Sequence, residues 1–227
     1  MVINKLNNYC SGKIANVQDP VIPMLYYVHD PMCSWCWGFE STRLQLFDRL
    51  PQNLHIRRLL GGLAEDTQQP MADEMRAYIQ RAWHEIEQKV AGKHFNFDFW
   101  SVCQPRRATW PACRAVIAAR QQGEQYDEKM TTAIQTAYYT QARNPSDDAT
   151  LIELADEIGL NHTDFTAALN SDETQRELLS EMELTTELAA NSFPSLLLKM
   201  EDSVRTIPIS YTQSDKMHQL ISRILDE

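Results

Sequence analysis

His29-Asp-Pro-Met-Cys33-Ser-Trp-Cys36-Trp-Gly-Phe39 is the stretch that decides how this chain is read. Two cysteines stand three apart, directly after the unbroken apolar run Val21–Val28. Such a run fits a strand of a sheet covered on both faces. Asp30-Pro31 stops that strand, and Cys33 to Leu50 reads as a helix whose apolar positions Trp37, Leu44 and Phe47 recur at helical spacing, with Leu50 one turn on. Pro51 ends the helix, and Leu54–Leu60 reads as a second strand closing on Gly61-Gly62, residues free to take backbone angles that a side chain forbids. The result is a strand–helix–strand unit with both cysteines at the carboxyl end of its first strand. Open α/β sheets place their chemistry at that end.

Working outward, residues 1–20 are polar and end at Pro20, which predicts an arm with little structure of its own. From about residue 70 to Asn191 the pattern turns helical almost throughout. Met71–Val90 and Thr109–Gly123 both read as amphipathic helices, the second with Thr109 as N-cap and Pro111 in its first turn. Gly159 stands as a C-terminal stop, and Ser171 caps a long helix after it. Beyond Asn191, two short β-like runs, Ser192–Met200 and Ser203–Ile209, form a hairpin pattern, and a last helix closes the chain. Three parts are therefore expected: an arm at 1–20, a discontinuous α/β unit at 21–63 and 191–227, and a helical insertion at 64–190.

Composition narrows the function. A formal charge of −10 argues against nucleic-acid phosphate or an anionic membrane surface as partner. No run approaches the roughly 18 apolar residues of a membrane span, and the N-terminal residues lack the apolar core of a secretory signal. Five cysteines in a chain of this length do not form a disulfide framework, and a reducing, cytoplasmic compartment is expected.

The order of these elements resembles the thioredoxin fold with a large helical insertion, an α/β architecture similar to that of the DsbA family of thiol–disulfide oxidoreductases and its FrnE-like branch. The matching residues are Asp30 to Phe39 around the CxxC, Gly61-Gly62-Leu63, and Phe193-Pro194 before the third strand, with a weaker match at Thr109 to Ala115. The resemblance implies a cis Pro194 beside the cysteines. It implies catalysis by a Cys33–Cys36 dithiol, with no metal or organic cofactor, acting on a disulfide- or thiol-containing protein or peptide. Glutathione or thioredoxin would be the redox partner.

The chemistry fits the placement. A cysteine attacks only as thiolate, and unpaired N–H groups at a helix N-terminus favour the anion. Cys33 is thus expected to be the exposed nucleophile, activated by the helix end without a cationic neighbour, and Cys36 the buried resolving thiol. Ser34 adds no charge, and Trp35 adds apolar surface. Glu40, four residues past Cys36, shares its helix face. It is either a proton exchanger for Cys36 or a solvated helix carboxylate.

Trp35, Phe193 and Pro194 are candidates for an apolar substrate platform, although a single Phe is more commonly core. His29 reads as a hydrogen-bonded structural residue. Arg106, Arg107 and Arg114 offer either a site for a glutathione carboxylate or a solvated basic edge. Cys10, Cys103 and Cys113 read as buried or incidental thiols, with a Cys103–Cys113 pair as the alternative.

Three other functions remain open from sequence. The first is a non-catalytic thioredoxin-like adaptor or redox sensor. The second is a glutathione-dependent transferase or isomerase of the kappa or hydroxychromene-carboxylate type, kin that use Ser where Cys33 stands. A zinc half-site is the weakest, because no Cys or His spacing supplies the remaining ligands.

Overall fold

The computed structural model describes residues 23–201 and 203–227; the predicted arm, and Cys10 in it, lie outside them. Strand β1 (Met24–His29) leads into helix α1 (Ser34–Phe47) and strand β2 (His55–Leu60). Seven helices follow: α2 (Asp73–Lys89), α3 (Phe99–Val102), α4 (Trp110–Arg120), α5 (Gln125–Thr140), α6 (Asp148–Glu157), α7 (His162–Leu169) and α8 (Asp172–Glu187). The hairpin β3 (Ser195–Met200) and β4 (Ser203–Ile207) and the helix α9 (Ser214–Leu225) complete the chain.

The sheet runs in the order β2-β1-β3-β4. β1 pairs parallel with β2, placing Val28 opposite Leu59, and antiparallel with β3, placing Val28 opposite Ser195. The apolar run of β1 is unbroken because both of its faces are covered. Leu25 and Tyr27 join Phe39 and Leu46 of α1 and Ile221 of α9 in one apolar cluster. Tyr26 and Val28 point the other way, onto a second cluster closed by Leu184 and Leu188 at the end of α8. β2 and β4 are the edge strands, and the first four residues of β4 are exposed.

Two sequence expectations change here. The buried stripe of α1 is Cys36, Phe39, Arg43 and Leu46, whereas Leu44 is 48% exposed and Trp37 and Phe47 are only half-buried. The stripe was hidden because a cation stands in it. Arg43 lies 5.3 Å from the ring of Tyr27 and pairs with Glu128 at 2.5 Å, so its charge is met inside the protein.

Helix α4 also departs from its amphipathic reading, since every residue from Pro111 to Ala119 is buried. It is the central helix, packed by α5, α7 and α8, and its small Ala side chains let those helices approach from all sides. Gly159 takes φ +81° after α6, and the Ser171 side chain accepts from the Thr174 N–H at the start of α8, as the sequence predicts. No helix among the described residues is long and apolar enough to cross a membrane.

Candidate active site

Asp30 to Cys33 form a turn, closed by the Cys33 N–H donating to the Asp30 carbonyl at 3.0 Å. The turn delivers Cys33 as the N-cap of α1, in extended conformation (φ −79°, ψ 115°), so its side chain sits at the helix N-terminus. Its thiol lies 3.5 Å from the carbonyl oxygen of Phe193. The Phe193–Pro194 peptide is cis, which places this carbonyl and Pro194 beside the cysteine. Cys33 is only 7% exposed and opens into a small cavity of about 170 Å³. The exposed nucleophile of the sequence reading is therefore a recessed one.

Cys36, one turn further, is 1% exposed. Burial pushes its thiol well above the ordinary range, and the neighbouring Cys33 and the charge of Asp30 push the same way. Both cysteines are free thiols. A thiol this well buried holds its proton tightly, so resolution of a mixed disulfide needs a nearby proton acceptor.

Asp30 is the buried carboxyl whose charge reaches that thiol. It is fully buried and accepts from the Met32 N–H at 2.7 Å, the Leu63 N–H at 2.9 Å and the Thr109 hydroxyl at 2.6 Å, with the Cys113 thiol at 3.6 Å. Burial raises its affinity for a proton above the carboxylate norm, and the bonds from Thr109, Leu63 and Met32 and the charge of Arg107 hold it back. In sequence Asp30 stands as a strand stop and as the first residue of the motif around the CxxC, with nothing there to mark it as a proton acceptor. The available signal was its place between an apolar strand and a Pro-Met-Cys turn, where the chain remains inside the molecule. Thr109 serves Asp30 with its hydroxyl, makes no side-chain cap to α4, and accepts from the Ala64 N–H.

Glu40 is neither solvated nor turned to Cys36. Its carboxylate pairs with Lys93 Nζ at 2.5 Å, the two side chains being 18% and 5% exposed, and the same ammonium sits 3.5 Å above the ring of Trp37. The groups acting on the Cys36 thiol include Asp30 and not Glu40. Ser34 accepts from Trp83 Nε1 at 3.0 Å, tying the dipeptide between the cysteines to α2.

Trp35 is tilted against Tyr211 at 4.9 Å and, with Phe193, Pro194, Ile207 and Ile209, lines a groove of about 440 Å³ beside the cysteines. The Phe193 ring rests on Gly61, where a Cβ would lie 2.0 Å from ring carbon Cζ. Two signals far apart in sequence are thus one contact, and Phe193 serves both the sheet cluster and the groove. Gly62, at φ +57°, has its carbonyl bonded by Trp110 Nε1 at 3.1 Å.

His29 is packed without the hydrogen bonds expected of it. Its ring stacks on Tyr27 at 4.7 Å, and neither nitrogen has a partner among the described residues. Burial, aided by Arg58, Arg43 and Arg120, drives its proton affinity well down, so the ring is neutral. Cys103 and Cys113 are not paired with each other. Cys103 donates to the Ala142 carbonyl at 3.0 Å, whereas Cys113 faces Asp30. Arg106 pairs with Asp147 at 2.5 Å and Arg114 with Asp66 at 2.7 Å, so neither is a free cation. Among the described residues no group of three or more His, Cys, Asp or Glu side chains is placed to hold a metal ion.

A CxxC opening a helix at the carboxyl end of a central strand, with a cis-proline facing the first thiol, defines a thioredoxin-fold protein of the thiol–disulfide oxidoreductase kind. A family model described as Thioredoxin matches residues 26–219, and the chain belongs to that family. Among solved structures it is similar to a Nitrosomonas europaea protein provisionally described as a protein disulfide isomerase, with 28% identity, 90% of this chain and 98% of that one covered, and TM-score 0.78. It is also similar in fold to the cytosolic disulfide reductase DsbM of Pseudomonas aeruginosa, at 24% identity, coverage of 89% and 98%, and TM-score 0.72; DsbM has been solved with GSH as well. Among curated proteins, the ClpXP adapter protein SpxH of Bacillus subtilis is 23% identical over 89% of this chain and 68% of its own length.

Proposed function

We propose that the protein is a dithiol–disulfide oxidoreductase of the disulfide reductase or isomerase type, acting in a reducing compartment such as the cytoplasm. The observation that carries this reading is the recessed Cys33 thiol at the N-terminus of α1, 3.5 Å from the carbonyl that precedes cis Pro194, with Cys36 buried one turn behind it.

The Cys33 thiolate attacks one sulfur of a disulfide, forming a mixed disulfide and releasing the first thiolate. Cys36 then gives up its proton, with Asp30 as acceptor, and its thiolate attacks the Cys33 sulfur. That closes the Cys33–Cys36 disulfide and releases the second thiolate. Thiols of glutathione or thioredoxin return the pair to the dithiol. The groove beside Trp35, Phe193 and Pro194 receives the polypeptide of a protein substrate.

The test is a trapping series with pre-reduced protein and a disulfide substrate, read by mass spectrometry. Wild type should finish with a Cys33–Cys36 disulfide, Cys36→Ser should stop at the mixed disulfide on Cys33, and Cys33→Ser should not react. Absence of a Cys33–Cys36 disulfide at every glutathione poise would defeat the reading. The direction of catalysis follows from the reduction potential: a value near roughly −270 mV marks a reductase and one near roughly −120 mV an oxidant. The likeness to an adapter protein supports a second reading, in which the groove binds a client without turnover. A Cys33→Ser/Cys36→Ser variant that still binds the client, with the wild type lacking disulfide activity, would establish it.

A further inference from the structure

The cavity in front of Cys33 is walled by Met32, Leu63, Tyr78, Ile79 and Phe193, and among the described residues its one cationic side chain is Arg107. Among the described residues no carboxylate lines it. Arg107 follows Arg106 in sequence, and both Arg106 and Arg114 are taken up by carboxylates. The side-chain hydrogen bonds and ion pairs within the described residues include none for Arg107, which is half-buried at the cavity wall. Its charge reaches the buried Asp30 carboxyl and pulls against the effect of burial there.

A guanidinium kept partly out of water, with no hydrogen-bond or ion-pair partner among the described residues, leaves donors unspent in a fork that matches a carboxylate. In a chain of net charge −10, which on average repels anions, this spot inverts the local sign beside the reacting sulfur. The cavity, at about 170 Å³, suits a residue-sized group and not a folded surface.

We propose that Arg107 is a specificity-determining residue that binds a carboxylate of a small acidic disulfide, of the glutathione disulfide kind, and so seats its sulfur against Cys33. This deepens the oxidoreductase reading and rests on Cys33 being the nucleophile. The electron balance is that of the reaction above: the disulfide takes two electrons from the Cys33–Cys36 dithiol, leaving as two thiols. Arg107 contributes charge and position only.

The experiment is single-turnover oxidation of the pre-reduced protein, followed by tryptophan fluorescence, with three disulfides: glutathione disulfide (anionic), hydroxyethyl disulfide (neutral) and cystamine (cationic). Each rate constant is divided by that of a free small thiol with the same reagent. In Arg107→Gln the glutathione-to-hydroxyethyl ratio should fall at least tenfold and the cystamine-to-hydroxyethyl ratio should rise. Arg107→Lys should recover part of the glutathione preference, and added salt should erode that preference in the wild type. If Arg107→Gln slows all three by one common factor, Arg107 acts on the cysteines and not on substrate, and the inference is overturned. Unchanged ratios overturn it too. A wild type that reacts with none of the three fails the oxidoreductase reading itself, whereas one that reacts but shows no charge preference fails only this inference.

Discussion

Asp30 sets two opposing demands on one side chain. As a proton acceptor for Cys36 it has to be ionised, yet full burial favours its neutral form, and three donors only partly offset that preference. Because the folded chain binds this proton more tightly than the unfolded chain, the Asp30 contribution to stability is full below the ordinary carboxyl range. It is lost as pH rises through the raised folded value. Asn does not titrate, so the melting temperature of Asp30→Asn relative to wild type should climb as pH rises through that window; calorimetry over a pH series checks the sign. The same variant should slow release of the second thiol on the order of 10²-fold in rapid-quench kinetics while the mixed disulfide still forms. Glu40→Gln is the control, with resolution expected to stay near wild type because Glu40 is committed to Lys93. Gly61 is constrained differently. Gly61→Ala puts a methyl group inside the Phe193 ring, and overpacking of this kind should cost about 1–3 kcal/mol in urea unfolding. What the residues reveal in sequence follows from locality. The cysteines, Pro194 and Gly61 were legible because spacing and backbone need mark them. Asp30 was not, because its role depends on donors from Leu63 and Thr109 that only the fold brings to it.

At the scale of elements, α1 shows how a buried charge misleads a periodicity argument. Its stripe of Cys36, Phe39, Arg43 and Leu46 contains a cation, so a search for apolar residues alone settles on the wrong face. Helix α4 misleads in the opposite direction. Arg114 in its middle and Arg120 at its end suggest a wet side, but Arg114 reaches Asp66 in the segment after β2 and Arg120 reaches Glu181 of α8, while the residues between them are buried. Strand β1 and the cap of α8 were legible because an unbroken apolar run and a capping Ser are local signals, and β2, β3 and β4 because each is a short β-like run set off by its flanking residues. The Glu40–Lys93 pair joins α1 to the segment after α2 and is nearly enclosed. Burial pushes Lys93 towards its neutral form and Glu40 pulls it back, so removing the carboxylate leaves an ammonium with only the Trp37 ring for company. Glu40→Gln is therefore expected to lower stability by about 2–3 kcal/mol, read from the denaturation midpoint at unchanged slope. Set beside its unchanged resolution rate, that loss would separate a structural role for Glu40 from a catalytic one.

Across the whole molecule, the sheet and the intervening helices are joined by charges as well as by apolar packing. Arg58 of β2 meets Asp127 at 3.0 Å and also pairs with Glu128, which binds Arg43 of α1. Arg120 of α4 bridges Asp127 at 2.8 Å and Glu181 of α8 at 2.5 Å, and the second oxygen of Glu181 accepts from the Leu60 N–H of β2 at 2.7 Å. Burial pushes Glu128 up, but Arg58 and Arg43 outweigh it and hold the carboxyl below its usual range, whereas at Glu181 burial prevails over Arg120 and the carboxyl is raised. One junction thus holds carboxyls shifted in opposite senses: as pH falls Glu181 gains its proton before Glu128, and the stability that Glu128 contributes is lost only as pH falls below the ordinary carboxyl range, through its depressed value. Removing Glu181 strands both a guanidinium hydrogen bond and a buried backbone N–H in the same step. Glu181→Ala should cost about 3 kcal/mol, and Glu181→Gln less, since the amide oxygen can still accept from Leu60. Hydrogen exchange read by peptide separates two architectures. If sheet and helices open as one unit, protection in β1 and in α4 falls by the same amount in Glu181→Ala. If the helices open alone, only α4 loses protection, and the junction is a contact between two independently stable parts.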